Sequence, residues 1–81
     1  MIKVQVEVFS IFKKSVPKTF KNGKGTMLLD NNRITVPEIL RRLKIPEDIE
    51  RIVLVNEKYC NSDYEVKDGD MVRIFPLVAG G

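Results

Sequence analysis

The first residues of the sequence alternate strictly between apolar and polar side chains, and this pattern restricts the fold more than any other feature. The apolar positions are Ile2, Val4, Val6 and Val8, and the side chains between them are Lys3, Gln5, Glu7 and Phe9. Successive side chains of a strand point to opposite faces of a sheet. Residues 2–9 therefore predict a half-buried strand with Phe9 on its outer face.

A turn, a second strand and a short helix are predicted next. An Asn-Gly pair at residues 22–23 precedes residues 26–29, which predict a strand that forms a hairpin with the first. Thr35 and Glu38 have the spacing of a capping box, and Pro37 suits the first turn of a helix. The apolar side chains of this helix recur with helical spacing and are Val36, Ile39, Leu40 and Leu43. The sequence therefore predicts one helix packed against a sheet.

Strand patterns dominate the second half of the sequence. The apolar run at residues 52–55 is too short for a helix and predicts a strand that is covered, at least in part, on both faces. A brief strand is expected within residues 59–64. The Asp-Gly-Asp triplet at residues 68–70 predicts a turn into a strand over residues 71–75, and Pro76 is expected to end the ladder pairing.

The alternation of this last strand divides its side chains between the core and an outer face. The inward positions are Val72 and Ile74, and the outward positions are Met71, Arg73 and Phe75. The elements together predict an α+β fold, in which a mixed sheet of four to five strands carries one main helix on one face. Residues 1–76 are expected to form one domain, and residues 77–81 a free, flexible C-terminal tail.

Composition excludes several classes of function. The sequence has 81 residues, no His and a single Cys60, so the usual His/Cys zinc sites and imidazole-based triads are absent. Cys60 cannot form an internal disulfide, and no apolar run approaches the roughly 20 residues that span a bilayer. We therefore expect a cytoplasmic protein with no membrane partner, no metal site and an inert Cys60.

Charge is distributed unevenly along the chain. Residues 1–33 contain seven Lys or Arg residues but only two acidic residues, Glu7 and Asp30. The lysines between these two acids are Lys13, Lys14, Lys18, Lys21 and Lys24. Such a loop attracts anions or an acidic protein surface, or is simply a solvated loop. No Arg-rich or aromatic recognition element accompanies the lysines, so no nucleic-acid partner is expected.

The sequence ends in an apolar segment followed by Gly80 and Gly81. Two glycines add backbone entropy and bury no side chain, so this ending is unusual as packing. Because the two glycines have no Cβ atoms, they can enter a narrow slot in another protein and present the terminal carboxylate there. A chance pair of glycines, or a remnant of cloning, is the alternative.

Three segments together resemble the MoaD/ThiS family of ubiquitin-related sulfur carriers. They are residues 53–56, the Lys-Asp-Gly-Asp turn at 67–70 and the ending at 74–81, which reads Ile-Phe-Pro-Leu-Val-Ala-Gly-Gly. The family includes the small subunit of molybdopterin synthase and the thiamine-thiazole sulfur carrier, and Phe-Pro before the tail is more similar to the former. Glu57 departs from the family, because many relatives have Gly there. The resemblance implies a β-grasp, ubiquitin-like fold.

The resemblance also implies a carrier cycle rather than an enzyme. In the family, a ubiquitin-activating-like adenylyltransferase uses ATP to join the terminal carboxylate, here that of Gly81, to AMP. Sulfur from a desulfurase or rhodanese then displaces AMP and leaves a thiocarboxylate, which donates sulfur to a pterin precursor on the large subunit of molybdopterin synthase. The carrier binds no cofactor of its own, and the catalytic residues belong to its partners.

A partner that grips a domain without a cleft needs an exposed apolar patch beside the tail. The candidates on the outer sheet face are Phe75, Phe9 and Leu54, with Arg73 expected to pair with an acidic rim of the partner. Further candidates for partner binding are Pro76 and the tail residues Leu77, Val78 and Ala79, and Gly80 joins Gly81 at the reactive end. Three alternatives stay open: another sulfur-transfer route such as thiazole synthesis, a ubiquitin-like modifier that is conjugated through Gly81, and a binding module that uses the basic loop.

Overall fold

The computed structural model describes residues 1–30 and 33–77. The elements, in chain order, are β1 (Ile2–Val8), a 3₁₀ helix (Ser10–Lys14), β2 (Lys24–Leu29), β3 (Ile34–Thr35), α1 (Val36–Arg42), β4 (Arg51–Val55), β5 (Lys58–Tyr59), β6 (Glu65–Val66) and β7 (Met71–Pro76). No helix within these residues is long and apolar enough to cross a membrane.

The main sheet has five strands in the order β2-β1-β7-β4-β5, and β3 pairs with β6 in a separate two-stranded sheet. β1 and β7 lie in parallel at the centre, and the other neighbours are antiparallel. A mixed sheet that combines a parallel central pair, a flanking hairpin and one α-helix is the β-grasp, ubiquitin-like arrangement. The predicted fold class is therefore confirmed.

The core forms where the inner face of the sheet meets α1. The buried side chains of the two central strands are Val4, Val6, Val8, Val72 and Ile74, as the alternation predicted. They belong to one cluster with Ile39 and Leu43, which continue the apolar stripe of α1. Each buried aliphatic side chain contributes roughly 1.5–3 kcal/mol to folding. The core thus fixes which face of β7 points outward.

The connection from β1 to β2 is held by packing of its own. Phe12, in the 3₁₀ helix, is fully buried. Asn22 and Gly23 adopt positive φ angles of 52° and 85°, which form the tight turn that the sequence predicted and let β2 begin at Lys24. The Phe20 ring covers Gly25 so closely that a Cβ atom there would lie 2.2 Å from it.

Two details of the prediction are wrong. The capping box does not form: Thr35 makes no side-chain cap bond, and the Glu38 carboxylate instead accepts from Arg41 and Arg42. Two guanidinium donors one turn away compete with a single backbone amide for the carboxylate. Pro76 does not end the ladder either, because its residue still pairs with Arg51 in the register of β4 and β7.

Candidate functional site

An aromatic pair occupies the outer face of the main sheet, at the end where β7 leads into residues 77–81. Phe9 directly follows β1 and Phe75 lies in β7, and their rings stack with centroids 4.2 Å apart and planes 8° from parallel. β1 and β7 are parallel neighbours, and the Phe9 amide donates to the Ile74 carbonyl at 3.1 Å. The backbone pairing therefore places the two rings side by side, each of them half-buried.

An ion-pair cluster lies next to this stack on the same face. The Arg73 Nε donates to Glu7 Oε1 at 3.1 Å, and a second guanidinium nitrogen pairs with the Glu57 carboxylate. Glu7 and Arg73 face each other in the β1–β7 register. The guanidinium thus has two carboxylate partners within its own chain. Contact of Arg73 with an acidic rim of a partner stays a prediction, and such a rim would compete with these carboxylates.

The structure brings three predicted contact residues onto one face. Leu54 pairs with Arg73 across β4 and β7, which places it in the row beside Phe9 and Phe75. Leu54, like the two rings, is half-buried rather than fully exposed. Their role in partner binding stays a prediction.

The remaining predicted residues follow Phe75 in the chain. Pro76 is half-buried in β7, and Leu77 is 50% exposed, with its amide donating to the Glu50 carbonyl at 2.7 Å. The other predicted tail residues lie outside the described residues and are Val78, Ala79, Gly80 and Gly81.

Sequence reasoning missed two apolar neighbours of this surface. Tyr59, in β5, is 78% exposed and pairs with Leu54. Ile52 pairs with Phe75 across β4 and β7. The signal that could have found Tyr59 is the two-residue turn at residues 56–57, which sets the β4–β5 register. An Asn-Gly pair there would have predicted that turn, but the sequence has Glu in place of Gly.

A buried carboxylate anchors the opposite end of the sheet. Asp70 accepts from the Lys67 amide at 2.8 Å, from Asn56 Nδ2 at 3.0 Å and from the Tyr64 hydroxyl at 3.1 Å. Burial by itself raises the pKa of Asp70, but these hydrogen bonds outweigh burial and hold the pKa below its ordinary value. Asp70 therefore fixes the turn that starts β7, at the opposite end of this strand from Leu77.

Cys60 borders a groove of about 640 Å³ between α1 and the β4–β5 hairpin, together with Leu40, Val53 and Tyr59. Burial raises the pKa of the Cys60 thiol, which therefore stays protonated at neutral pH. Within residues 1–30 and 33–77, no three His, Cys, Asp or Glu side chains are grouped so that they could hold a metal ion. Neither feature supplies a nucleophile or a metal centre to the tail-bearing end.

Comparison with known proteins agrees with this geometry. The sequence model of the ThiS family matches residues 15–81. A Pyrococcus furiosus protein named as molybdopterin converting factor subunit 1 is 25% identical, with coverage of 96% of this chain and 100% of that chain and a TM-score of 0.74. A comparison with curated proteins found no significant match.

Two more distant structures share the fold. Small archaeal modifier protein 1 of Haloferax volcanii is 15% identical, with coverage of 96% of this chain and 100% of that chain and a TM-score of 0.72. One chain from the Helicobacter pylori complex of molybdopterin-converting factor subunits 1 and 2 is 21% identical, with coverage of 99% and 100% and a TM-score of 0.59.

Proposed function

The chain belongs to the ThiS family, and on this premise we propose that it is a sulfur carrier that acts through Gly81. In the proposed cycle, an adenylyltransferase joins the Gly81 carboxylate to AMP, and the adenylate is then converted to a thiocarboxylate. The thiocarboxylate donates its sulfur to a pterin precursor in the synthesis of the molybdenum or tungsten cofactor. The domain is the substrate of its partner enzymes and carries the surface that they recognise, and these enzymes perform the catalysis.

The observation that carries the proposal is the position of the aromatic stack beside the segment that ends in two glycines. Phe9 and Phe75 are half-buried, so their exposed edges offer an apolar contact without unfolding the domain. Aromatic anchors near the centre of an interface supply much of the binding energy. A partner docked on them would meet the chain at Leu77, the residue that follows β7.

Each step of the proposed chemistry follows from the state of the carboxylate. A carboxylate is anionic at neutral pH and therefore resists nucleophilic attack. A carboxylate oxygen attacks the α-phosphorus of ATP, pyrophosphate leaves, and the resulting acyl-adenylate is electrophilic. The terminal sulfur of an enzyme persulfide, on a desulfurase or rhodanese, then displaces AMP and forms an acyl disulfide. A thiol cleaves the S–S bond of this intermediate, which releases the thiocarboxylate and leaves a disulfide on the donor side. Gly80 and Gly81 suit these steps because a chain without Cβ atoms fits a narrow slot.

The relatives support the choice of acceptor. The Pyrococcus furiosus protein is named as molybdopterin converting factor subunit 1, and the Helicobacter pylori protein is in complex with subunit 2 of that factor. By analogy, we propose that the acceptor enzyme of this chain is the large subunit of molybdopterin synthase or an equivalent enzyme.

Intact-mass measurement after incubation with ATP, the adenylyltransferase, a desulfurase with its cysteine substrate and a thiol reductant tests the proposal. The expected product has one terminal oxygen replaced by sulfur. The control is a chain with one residue added after Gly81, which should fold normally but not be adenylated, because the reacting carboxylate moves by about 3.5 Å. Sulfur incorporation into the extended chain would show that the carrier proposal is wrong.

A second assay identifies the acceptor. The thiocarboxylate form is mixed either with the molybdopterin synthase large subunit and the pterin precursor, or with thiazole synthase and its substrates. We expect sulfur transfer only in the first mixture. Transfer only in the second would assign the chain to thiazole synthesis, and conjugates on target lysines without transfer would identify a modifier.

A further inference from the structure

β7 ends beside a loop that is rich in lysine, and the link between Pro76 and Leu77 is called the exit point below. Four exposed lysines lie in residues 9–23, which connect β1 to β2, and they are Lys13, Lys14, Lys18 and Lys21. Among the residues that the structure describes, no carboxylate forms an ion pair with any of them. The β1 side of the exit point therefore carries an uncompensated positive charge.

This lysine loop has a defined position relative to the exit point. The Val8 amide donates to the Gly23 carbonyl at 2.8 Å, and Lys13 Nζ donates to Asn22 Oδ1 at 3.1 Å. The loop begins at Phe9, which stacks on Phe75. Its charges thus lie at the same end of the sheet as the start of the tail.

An acidic loop lies on the other side of the exit point. Three exposed carboxylates immediately precede β4, and they are Glu47, Asp48 and Glu50. The Glu50 carbonyl accepts a hydrogen bond from the Leu77 amide at 2.7 Å, so this loop contacts the first residue after β7 directly. Arg51 offsets part of this charge, because its guanidinium donates to two backbone carbonyls of residues 46–49. Three carboxylates against one guanidinium still leave the loop with a net negative charge, and none of the three forms an ion pair within the described residues.

We propose that the lysine loop and the acidic loop form a charge collar that orients the adenylyltransferase on this domain. An acidic surface of that enzyme faces the lysine loop, and basic residues of the enzyme face residues 47–50. The inference rests on the proposed function, because it assumes that an enzyme receives residues 77–81. Opposite charges on the two sides favour one docking orientation and oppose its reverse, since reversal would place like charges together.

The acidic loop also argues against a nucleic acid as the ligand of the lysine loop. A polyanion that lay across this end of the sheet would meet Glu47, Asp48 and Glu50 as well as the lysines. A protein surface can carry both signs of charge at the required spacing. The collar therefore fits a protein partner better than a phosphate backbone.

Charge reversal on either side of the collar tests the proposal. K14E/K18E changes the lysine loop and E47K/E50K changes the acidic loop. All four side chains are exposed and form no side-chain hydrogen bond within residues 1–30 and 33–77, so the fold should survive. K3E/K58E is the matched control, because Lys3 lies near the start of β1 and Lys58 beside the β4–β5 turn, both at the opposite end of the sheet.

The measurement is the association rate of each full-length variant with the adenylyltransferase. At about 50 mM salt we expect each collar variant to associate about tenfold more slowly, with the difference falling below about threefold at 300 mM. K3E/K58E should stay within about twofold of the original chain. The quadruple variant K14E/K18E/E47K/E50K has the original net charge. Slow association of this variant would therefore show that the positions of the charges, and not the net charge, set the association rate.

Each other outcome is decisive as well. The collar proposal would be wrong if K14E/K18E and K3E/K58E slowed association equally, or if neither collar variant slowed it. Adenylation of the unchanged chain would in that case still support the carrier proposal. Failure of the unchanged chain to be adenylated would overturn the proposed function and the collar with it. Binding of a single-stranded oligonucleotide that K14E/K18E abolishes, with an unchanged association rate, would assign the lysine loop to nucleic acid.

Discussion

The Phe75 ring lies flat against the Phe9 ring, 4.2 Å between centroids, where β7 approaches its end. The stack joins the residue after β1 to the last strand, and such pairs contribute roughly 0.5–1.5 kcal/mol beyond the area they bury. The sequence predicts that Phe75 serves binding with little effect on folding. The half-buried stack shows that the Phe75 ring also contributes to folding, while its role in binding stays a prediction.

Phe75→Ala is expected to weaken binding of the adenylyltransferase by roughly 1–3 kcal/mol, because it removes an aromatic anchor beside the tail. Loss of the stack should also lower the free energy of unfolding by about 1 kcal/mol. Titration calorimetry and urea melts measure the two effects. Leu28→Ala is the control: this side chain is 63% exposed in β2 and should change either quantity by less than about 0.5 kcal/mol. Unchanged binding of Phe75→Ala would remove Phe75 from the interface.

Ile74→Ala should behave in the opposite way. Ile74 is fully buried in the core cluster that also contains Ile39 of α1, so its truncation leaves a core cavity and lowers the free energy of unfolding by roughly 2–5 kcal/mol. Binding by the fraction that remains folded should be close to that of the original chain, because this side chain does not reach the outer face. If Ile74→Ala loses binding without loss of stability, and Phe75→Ala lowers the free energy of unfolding by the roughly 2–5 kcal/mol of a core cavity, the two faces of β7 have been assigned in reverse.

The sequence predicted those features that a repeating local pattern determines. Alternation in β1 and β7 separated core from outer face correctly, and helical spacing identified α1. These patterns persist because burial of one whole face outweighs any single polar contact. The resemblance of the ending to a carrier family supplied the rest of the fold.

Single polar contacts were much harder to predict. The expected cap of Thr35 by Glu38 failed because Arg41 and Arg42 compete for the same carboxylate. Arg73 looked free in the sequence, but strand order brings Glu7, 66 residues away, within hydrogen-bond distance. Where a side chain has several possible partners of similar strength, the tertiary structure decides which contact forms. Local sequence spacing carries no information about that choice.

Asp70→Asn should lower the free energy of unfolding by roughly 1–3 kcal/mol at neutral pH, because an amide cannot accept all three hydrogen bonds that reach the carboxylate. The pKa of Asp70 is lower in the folded chain than its ordinary value. Its contribution is therefore complete above the ordinary pKa of aspartate and is lost as the pH falls through the lowered value.

Urea melts from neutral pH down to about pH 2.5 test this dependence. The Asp70→Asn variant should lose less stability on acidification than the original chain. Some slope should remain in both, because hydrogen bonds from Arg41 and Arg42 also lower the pKa of Glu38. Identical slopes would show that Asp70 does not carry the acid sensitivity.

Glu57→Gly tests the two-residue turn between β4 and β5. Asn56 and Glu57 have φ angles of 54° and 69°, a left-handed conformation that costs a residue with a Cβ atom about 1–2 kcal/mol. Glycine removes this cost but also removes the ion pair with Arg73, and an exposed pair contributes at most about 1 kcal/mol. We therefore expect the free energy of unfolding to stay the same or rise by up to about 1 kcal/mol.

Glu57→Ala is the control for this prediction. It loses the same ion pair but keeps the backbone cost, so it should be about 1 kcal/mol less stable than Glu57→Gly in paired urea melts. Equal stability of the two variants would mean that the turn imposes no strain at residue 57.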